Sequence, residues 1–170
     1  MSSQLQFRVS YSEVEDRLFL NGTFTDRKEL KIILTRRLTL GFLGLAEKFS
    51  DYVTPVQDPV SKSQVVEFER DAATQSADRT KPYQGGEPHQ DLGEDPILCN
   101  RISISPAGED KITLHIGLVT GKQVSFPLAR KTFYAIWDMI AEIVRDRTGW
   151  TDASKLSTAR TTPNPSTVLH

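Results

Sequence analysis

The pattern of apolar and charged residues between residues 15 and 49 recurs, without a gap, 94 residues further along the chain. The clearest match joins EDRLFL at 15–20 to EDKITL at 109–114. The same displacement places apolar residues on apolar residues and basic residues on basic residues: Leu30, Ile32 and Leu34 on Val124, Phe126 and Leu128; Arg36 and Arg37 on Arg130 and Lys131; Phe42, Leu43, Leu45, Ala46 and Phe49 on Ile136, Trp137, Met139, Ile140 and Ile143. Chance rarely preserves apolar phase and charge together over such a length, so the repeat predicts two similar folding units.

Each copy first alternates apolar and polar residues and then changes to helical spacing, which is typical of strands followed by a helix. In the first copy we expect strands at 7–11, 18–24 and about 29–34, and a helix at about 35–52. In the second copy the strands are expected at 102–104, 112–118 and 122–128, and the helix at about 129–147. The first strands of the two copies, at 7–11 and 102–104, align only if the displacement changes by one residue in the loop that connects each to its second strand. The predicted order is therefore β-β-β-α, twice.

We expect an α+β protein in which two β-β-β-α units, residues 1–53 and 97–150, form one pseudo-twofold domain with an antiparallel sheet and the helices on one face. The second helix carries an apolar stripe that is too wide for a helix lying only on a sheet. Its members are Phe133, Ile136, Trp137, Ile140, Ile143 and Val144. This width predicts contact with the first helix or with a second chain.

Asn21-Gly22 is typical of a two-residue hairpin turn. Its counterpart in the second copy, His115-Ile116, lies within an uninterrupted strand pattern. We therefore expect the turn at Asp26-Arg27, which matches Thr120-Gly121. Gly22 is then predicted at a β-bulge or at a crowded position.

The connecting segment, residues 54–96, is a polar linker rich in Pro and Gly, with nine acidic and four basic residues. Ser61 is a candidate cap for a helix near 61–76, in which Val65, Val66, Phe68 and Ala72 give partial periodicity. Residues 81–95 are expected to be a mobile loop, and the Ser/Thr/Pro-rich residues 151–170 a disordered tail.

Apolar runs in this chain are too short to span a membrane, and the first residues lack the pattern of a signal peptide. Cys99 is the only cysteine, so neither an internal disulfide nor a multi-cysteine zinc site can form within one chain. Because Cys99 follows Ile97 and Leu98 in a strand-like stretch, we expect it to pack as a small hydrophobe. We expect a cytoplasmic protein without membrane attachment.

The duplicated basic residues Arg36, Arg37, Arg130 and Lys131, called here the basic pairs, are the candidate anion-binding residues. Each pair falls at a predicted helix N-terminus, where the macrodipole makes a cation unfavourable by about 0.3–1 kcal/mol. A negative group should compensate. A phosphate or a nucleic-acid backbone fits that role, because helix N-termini with added Arg or Lys attract anions.

Ion pairing within each unit is the competing interpretation of the basic pairs, and the one we favour. In an up-and-down meander the third strand ends beside the start of the second strand. This arrangement brings Glu15-Asp16 and Glu109-Asp110 towards the basic pairs of their own units. Surface ion pairs of this kind are common and contribute little.

Residue patterns typical of catalysis, metal binding or cofactor binding are missing from the sequence: the three histidines are far apart, and neither a phosphate-binding glycine loop nor a Gly-x-Ser-x-Gly motif occurs. We therefore predict a non-catalytic binding or assembly module, not an enzyme, whose partner is an unknown protein or a second copy. The alternative is single-stranded nucleic-acid binding through the basic pairs, because the topology resembles that of Whirly and Pur-alpha proteins. Their units have four strands, however, and Phe19 is the lone aromatic residue on the polar sheet face, which makes a poor stacking platform.

At DRLFL, residues 16–20, and LTRR, residues 34–37, the chain resembles a family of uncharacterised bacterial proteins. The resemblance extends over most of residues 7–150. It implies no activity, cofactor or site residue, because that family has none established.

Overall fold

The structure, a computed structural model, describes residues 5–23, 26–77 and 79–150, together with the backbone of residues 168 and 169. Within these residues it contains three helices and one mixed, open sheet, which confirms the α+β class. The elements are β1 (Gln6–Ser12), β2 (Arg17–Thr23), β3 (Lys28–Thr35), α1 (Arg36–Val53), α2 (Pro59–Ser76), β4 (Glu87–Pro88), β5 (Ile97–Pro106), β6 (Lys111–Leu118), β7 (Gln123–Ala129), α3 (Arg130–Asp146) and β8 (Val168–Leu169).

Two three-stranded meanders, β1–β2–β3 and β5–β6–β7, make up most of the sheet. Leu18 faces Leu34 across the β2–β3 hairpin, and Ile112 faces Leu128 across the β6–β7 hairpin. The two hairpins therefore have the same register at a displacement of 94 residues. In both meanders a helix follows the third strand directly.

Gly22 lies within β2, opposite Phe7, and the register of β1 with β2 is uninterrupted there. The bulge predicted as one alternative for this glycine is therefore wrong, whereas the crowded position is confirmed. A Cβ atom at Gly22 would lie 3.0 Å from Cε1 of Phe7. The hairpin turn includes Asp26 and Arg27, where Arg27 has a positive φ of 65°.

The two meanders join through β3 and β5, which run parallel and pair at Ile32 with Ile97 and at Ile33 with Leu98. The sheet is mixed, so the prediction of an antiparallel sheet is wrong at this junction. The strand order β1-β2-β3-β5-β6-β7 places the last strand of one meander beside the first strand of the next. Because residues 54–96 carry the chain back to the end of the sheet where β3 begins, β5 starts in the direction of β3.

Asn100 interrupts the pairing of β5 with β6. Cys99 faces Leu118, but Arg101 faces Gly117, so Asn100 is the extra residue of a β-bulge. A bulge bends its strand and increases the local twist. The pairing of β5 with β3 ends just before this bulge, and beyond it β5 pairs with β8 in antiparallel register.

One face of the sheet is buried beneath α1 and α3. α1 contacts β2, β3 and β5, whereas α3 contacts β1, β6 and β7. The two helices also meet each other, as the wide stripe on α3 predicts: the ring centroids of Phe42 and Phe133 are 6.1 Å apart. Since each helix covers strands of both meanders, the two units share one core.

The linker contains α2, whose N-cap is Asp58 rather than the expected Ser61. The Asp58 carboxylate accepts hydrogen bonds from the Ser61 backbone N–H at 2.8 Å and from its hydroxyl at 2.7 Å. α2 buries Val66 and Ala73, but Phe68 is 74% exposed. The apolar periodicity predicted for this helix therefore does not describe how it packs.

Residues 81–95, expected to be a loop, contain the short strand β4, which pairs parallel with the start of β3. The hydroxyl of Tyr83 lies 2.8 Å from Oγ1 of Thr23 and donates a hydrogen bond of 2.9 Å to Glu29. Burial of this hydroxyl raises the pKa of Tyr83 to about 12. These contacts tie the segment to the first meander. The predicted disordered tail, 151–170, lies outside the described residues except for β8.

Candidate functional site

Both basic pairs lie at the same end of the sheet. This placement follows from the topology, because β3 and β7 run in the same direction and each is followed directly by its helix. Three strand intervals separate β3 from β7, about 14 Å along the sheet at the usual strand spacing. The basic pairs therefore share an edge of the molecule but do not converge on one point.

Arg130 is engaged by the linker helix. Its Nη1 atom lies 4.0 Å from Oε1 of Glu69 on α2, and its guanidinium also donates a hydrogen bond to the backbone carbonyl of Glu109. The backbone N–H of Arg130 donates to the carbonyl of Asp110 at 2.9 Å. The charge of Arg130 is thus compensated by Glu69, and not by the side chains of Glu109 and Asp110 as the sequence predicted.

Arg36 and Arg37 are exposed, and neither forms an ion pair with Glu15 or Asp16 within the described residues. The carboxylate of Asp16 instead accepts hydrogen bonds from the Tyr11 hydroxyl at 2.7 Å and from the Trp150 indole at 2.6 Å. These two hydrogen bonds, with a smaller effect from the charge of Arg36, lower the pKa of Asp16. The expected direct ion pairs are therefore wrong for this unit also, although the charge of Arg36 still acts on Asp16.

The helix N-termini have different caps. The hydroxyl of Thr35 accepts a hydrogen bond from the backbone N–H of Leu38 at 3.4 Å at the start of α1. No side chain caps α3, where Ala129 occupies the N-cap position. Lys131 is exposed. Three of the four basic side chains are thus open to solvent, and the fourth, Arg130, is held against α2.

Six charged side chains, in one group around Asp138 and one separate pair, join α2 and the residues after it to α3. Asp138 of α3 is the centre of the larger group, since it accepts hydrogen bonds from Arg70 at 3.4 Å, from Thr74 at 2.9 Å and from Arg79 at 3.0 Å. Arg79 also pairs with Glu142 at 2.8 Å, and Arg130 with Glu69 at 4.0 Å. The guanidinium of Arg70 lies 4.1 Å from the ring centroid of Trp137, a favourable cation–π distance. These contacts explain how a helix with little buried apolar surface packs against α3.

Four buried polar atoms of this interface make no hydrogen bond within the described residues: Oε2 of Glu69, Nε of Arg70, Nε of Arg130 and the hydroxyl of Tyr134. Burial, followed by the nearby charge of Glu69, raises the pKa of Tyr134 far above its ordinary value. A buried polar atom without a partner costs about 1–3 kcal/mol. The interface is therefore less stable than its number of ion pairs suggests.

The edge of β5 is the second candidate surface. Beyond the bulge at Asn100, this edge is separated from β3 and pairs with β8 at two positions, Ile102 with Leu169 and Ser103 with Val168. α1 contacts both β5 and β8 and so forms the other side of the groove. We call this feature, Ile102 and Ser103 with the flanking α1, the β5 groove.

Polar residues on the outer face of the sheet form one small hydrogen-bonded row. Nε2 of His115 lies 3.0 Å from the hydroxyl of Ser105, and its Nδ1 lies 2.8 Å from the hydroxyl of Ser125. No carboxylate completes this row among the described contacts.

Cys99 is buried as expected, and burial raises the pKa of its thiol to about 11, which keeps it protonated at neutral pH.

A small apolar void of about 10 Å³ lies in the described part of the core, and it is too small for an organic ligand. It is lined by Leu20, Leu34, Phe42, Ile102, Leu114, Ile116, Ile136 and Ile140. Within the described residues, His, Cys, Asp and Glu form no cluster that could hold a metal ion. None of the described helices is both long and apolar enough to cross a membrane.

No protein-family model matches the chain, and no curated protein or solved structure is significantly similar to it. The candidate surfaces therefore rest on their own geometry.

Sequence reasoning missed the β5 groove, although two signals were present. Asn100 and Arg101 are adjacent polar residues between the buried Cys99 and Ile102, a break in alternation that is typical of a bulge. Val168-Leu169 is an apolar pair within an otherwise polar segment. The ion pairs between α2 and α3 are harder to predict from the sequence, because their charged residues lie in two distant stretches of the chain.

Proposed function

We propose that the chain is a non-catalytic binding and assembly module that takes up an extended polypeptide segment as an added strand on β5. The observation that carries this proposal is the pairing of β8 with the edge of β5 beyond the bulge at Asn100. Strand addition obtains affinity from main-chain hydrogen bonds and specificity from neighbouring side-chain pockets. It requires no covalent chemistry.

The local geometry favours uptake of a strand. The edge of a sheet presents a row of N–H and C=O groups, which need partners when other elements shield them from water. The pairing of β3 with β5 ends at Leu98, so the rest of this edge is not bonded to β3. α1 lies on the other side of the groove. β5 continues to Pro106, so its edge is longer than the two residues of β8.

We further propose that the two β-β-β-α units are copies related by a pseudo-twofold axis. The equal registers of the two hairpins support this relation. Because β3 and β5 are parallel, the axis has to run along the strands, which a twisted and curled sheet permits. The units differ at the bulge, which occurs in β5 but not in β1. Strand uptake is therefore a property of the second unit.

Single-stranded nucleic acid is the second candidate ligand, and the exposure of Arg36, Arg37 and Lys131 at one end of the sheet is the observation that favours it. Against it, Arg130 is engaged by Glu69, and the net charge of the chain is −1. Three exposed basic side chains could neutralise only a few phosphates of a nucleic-acid backbone. We therefore propose a protein partner as the ligand. We propose the cytoplasm as the compartment, because a chain with a single cysteine and no internal disulfide is typical of reducing compartments.

The proposal is tested by supplying the strand from outside. In a full-length variant carrying Val168→Pro and Leu169→Pro, the chain's own strand cannot donate backbone hydrogen bonds, because proline has no N–H. A peptide of residues 161–170, TTPNPSTVLH, should then shift the NMR amide signals around Ile102 and Ser103, with a Kd of about 0.1–1 mM, which corresponds to a binding free energy of about 4–5.5 kcal/mol.

The matched control is a peptide of the same length in which proline replaces both apolar residues. It should leave those signals unchanged. If neither peptide shifted them, or if both did so equally, strand addition at the β5 groove would be wrong.

A further inference from the structure

The strand seated on β5 belongs to the chain itself, so every copy carries both the groove and a segment that fits it. We propose, on the basis of the strand uptake argued above, that two copies exchange β8 reciprocally and form a closed dimer. Each copy would then place its own Val168–Leu169 on β5 of the other. The partner of the groove in trans is thus a second copy of this chain.

The first support for exchange is how little holds β8 in place. Its backbone pairs with two residues, Ile102 and Ser103, and its other contact among the described elements is with α1. By contrast, each of the six longer strands, β1–β3 and β5–β7, pairs over seven positions with at least one neighbour. β8 can therefore leave the groove while the core contacts among β1–β3, β5–β7 and the three helices remain in place.

The second support is reach. Trp150 ends the preceding described stretch, and seventeen residues separate it from Val168. At full extension a connection of that length spans at most about 60 Å. A domain of this size has a radius of gyration of about 15 Å. The connection is thus long enough to reach the same groove on an adjacent molecule.

The third support is charge. The chain has a formal net charge of −1, so two copies do not repel each other at long range. Because the pairing in cis and in trans uses the same residues, the balance between them depends on concentration. Joining two binding partners in one chain gives effective concentrations that reach the millimolar range. The closed monomer should therefore dominate at about 10 µM, and the exchanged dimer should become substantial near 1 mM.

Cysteine pairing distinguishes the two arrangements. Ser103 and Val168 are direct partners in the antiparallel pair, where Cβ atoms lie about 4.5–5.5 Å apart, close enough for a disulfide after a small shift. We would prepare three full-length variants: Ser103→Cys alone, Val168→Cys alone, and the double variant. Cys99 is buried and should not interfere.

Under mild oxidation the double variant should form an intramolecular disulfide at a rate independent of concentration. An equimolar mixture of the two single variants can join only between molecules. Exchange predicts a covalent heterodimer in that mixture, whose initial rate of formation at concentrations well below the millimolar range falls about 100-fold on ten-fold dilution, as expected for a bimolecular step. The control mixture pairs Ser103→Cys with Thr161→Cys, which places the second thiol seven residues out of register, and should give far less heterodimer.

A disulfide in the double variant together with equal heterodimer yields in the test and control mixtures would overturn exchange while leaving strand uptake intact. The lack of a specific disulfide in both experiments would overturn the pairing itself, and the proposed function with it.

Discussion

Gly117 provides a sharp test of the bulge that separates β5 from β3. A Cβ atom at this position would lie 3.0 Å from Cβ of Arg101 and 3.1 Å from Oδ1 of Asn100. The first of these atoms is fixed to the backbone, so the bulge has to shift in a Gly117→Ala variant. Overpacking of this kind costs about 1–3 kcal/mol. Removal of a strand glycine offsets about 0.5–1 kcal/mol of that cost. The net expectation is a loss of about 1–2 kcal/mol.

Gly44 is the matched control, because it lies within α1 and a Cβ atom there would have no neighbour within 4 Å. Gly44→Ala should stabilise the protein by about 0.5–1 kcal/mol, since alanine favours a helix interior. Urea unfolding followed by circular dichroism measures both changes. For a protein of this size, 1 kcal/mol shifts Tm by about 2–4 °C. A Gly117→Ala variant as stable as the wild type would refute the packing described for the bulge.

Asp138→Ala should reduce the free energy of unfolding by about 1–2 kcal/mol, because this partly buried carboxylate accepts three hydrogen bonds. Faster amide exchange in α2 would check this, and the Asp146→Ala control should leave both the free energy of unfolding and that exchange unchanged. Since hydrogen bonds lower the pKa of Asp16 in the folded state, their stabilisation is present above the ordinary carboxyl value of about 3.9 and lost as the pH falls through the lowered pKa. The fluorescence of Trp150 should report that midpoint, and Asp16→Asn should abolish it. The intact protein should not bind single-stranded DNA measurably at low salt; binding that weakens as salt rises and disappears on replacement of the basic pairs would contradict this.

The periodic parts of the fold could be predicted from the sequence because alternation and helical spacing directly record which residues are buried. α1 was expected at about 35–52 and occupies Arg36–Val53, and α3 was expected at about 129–147 and occupies Arg130–Asp146. The internal registers follow in the same way, since a shift by one residue would turn every apolar side chain of a strand outward.

The arrangement between the units could not be predicted, because periodicity does not encode which strands become neighbours. The parallel contact of β3 with β5 depends on where the linker returns to the sheet. α2 docks through ion pairs, so its apolar spacing was a poor guide.

The basic pairs show a different limit of sequence reasoning. Adjacency of strands was correctly inferred, since Arg17 faces Thr35 at the end of β3. The side chains nevertheless have other partners. Asp16 accepts hydrogen bonds from Tyr11 and Trp150, and Arg130 forms an ion pair with Glu69. Backbone proximity restricts which side chains can meet but does not decide among several that can.

The most direct test of the central claim is a nuclear Overhauser measurement on the full-length chain at low concentration. Backbone atoms that face each other in an antiparallel pair lie about 4.5–5.5 Å apart at Cα. Pairing of β8 with the β5 groove therefore predicts cross-strand contacts from Ile102 to Leu169 and from Ser103 to Val168. These contacts should vanish in the variant carrying Val168→Pro and Leu169→Pro. If they are missing from the wild-type chain, and its last residues have the chemical shifts of an unpaired segment, the account of β5 as a strand-binding groove is contradicted.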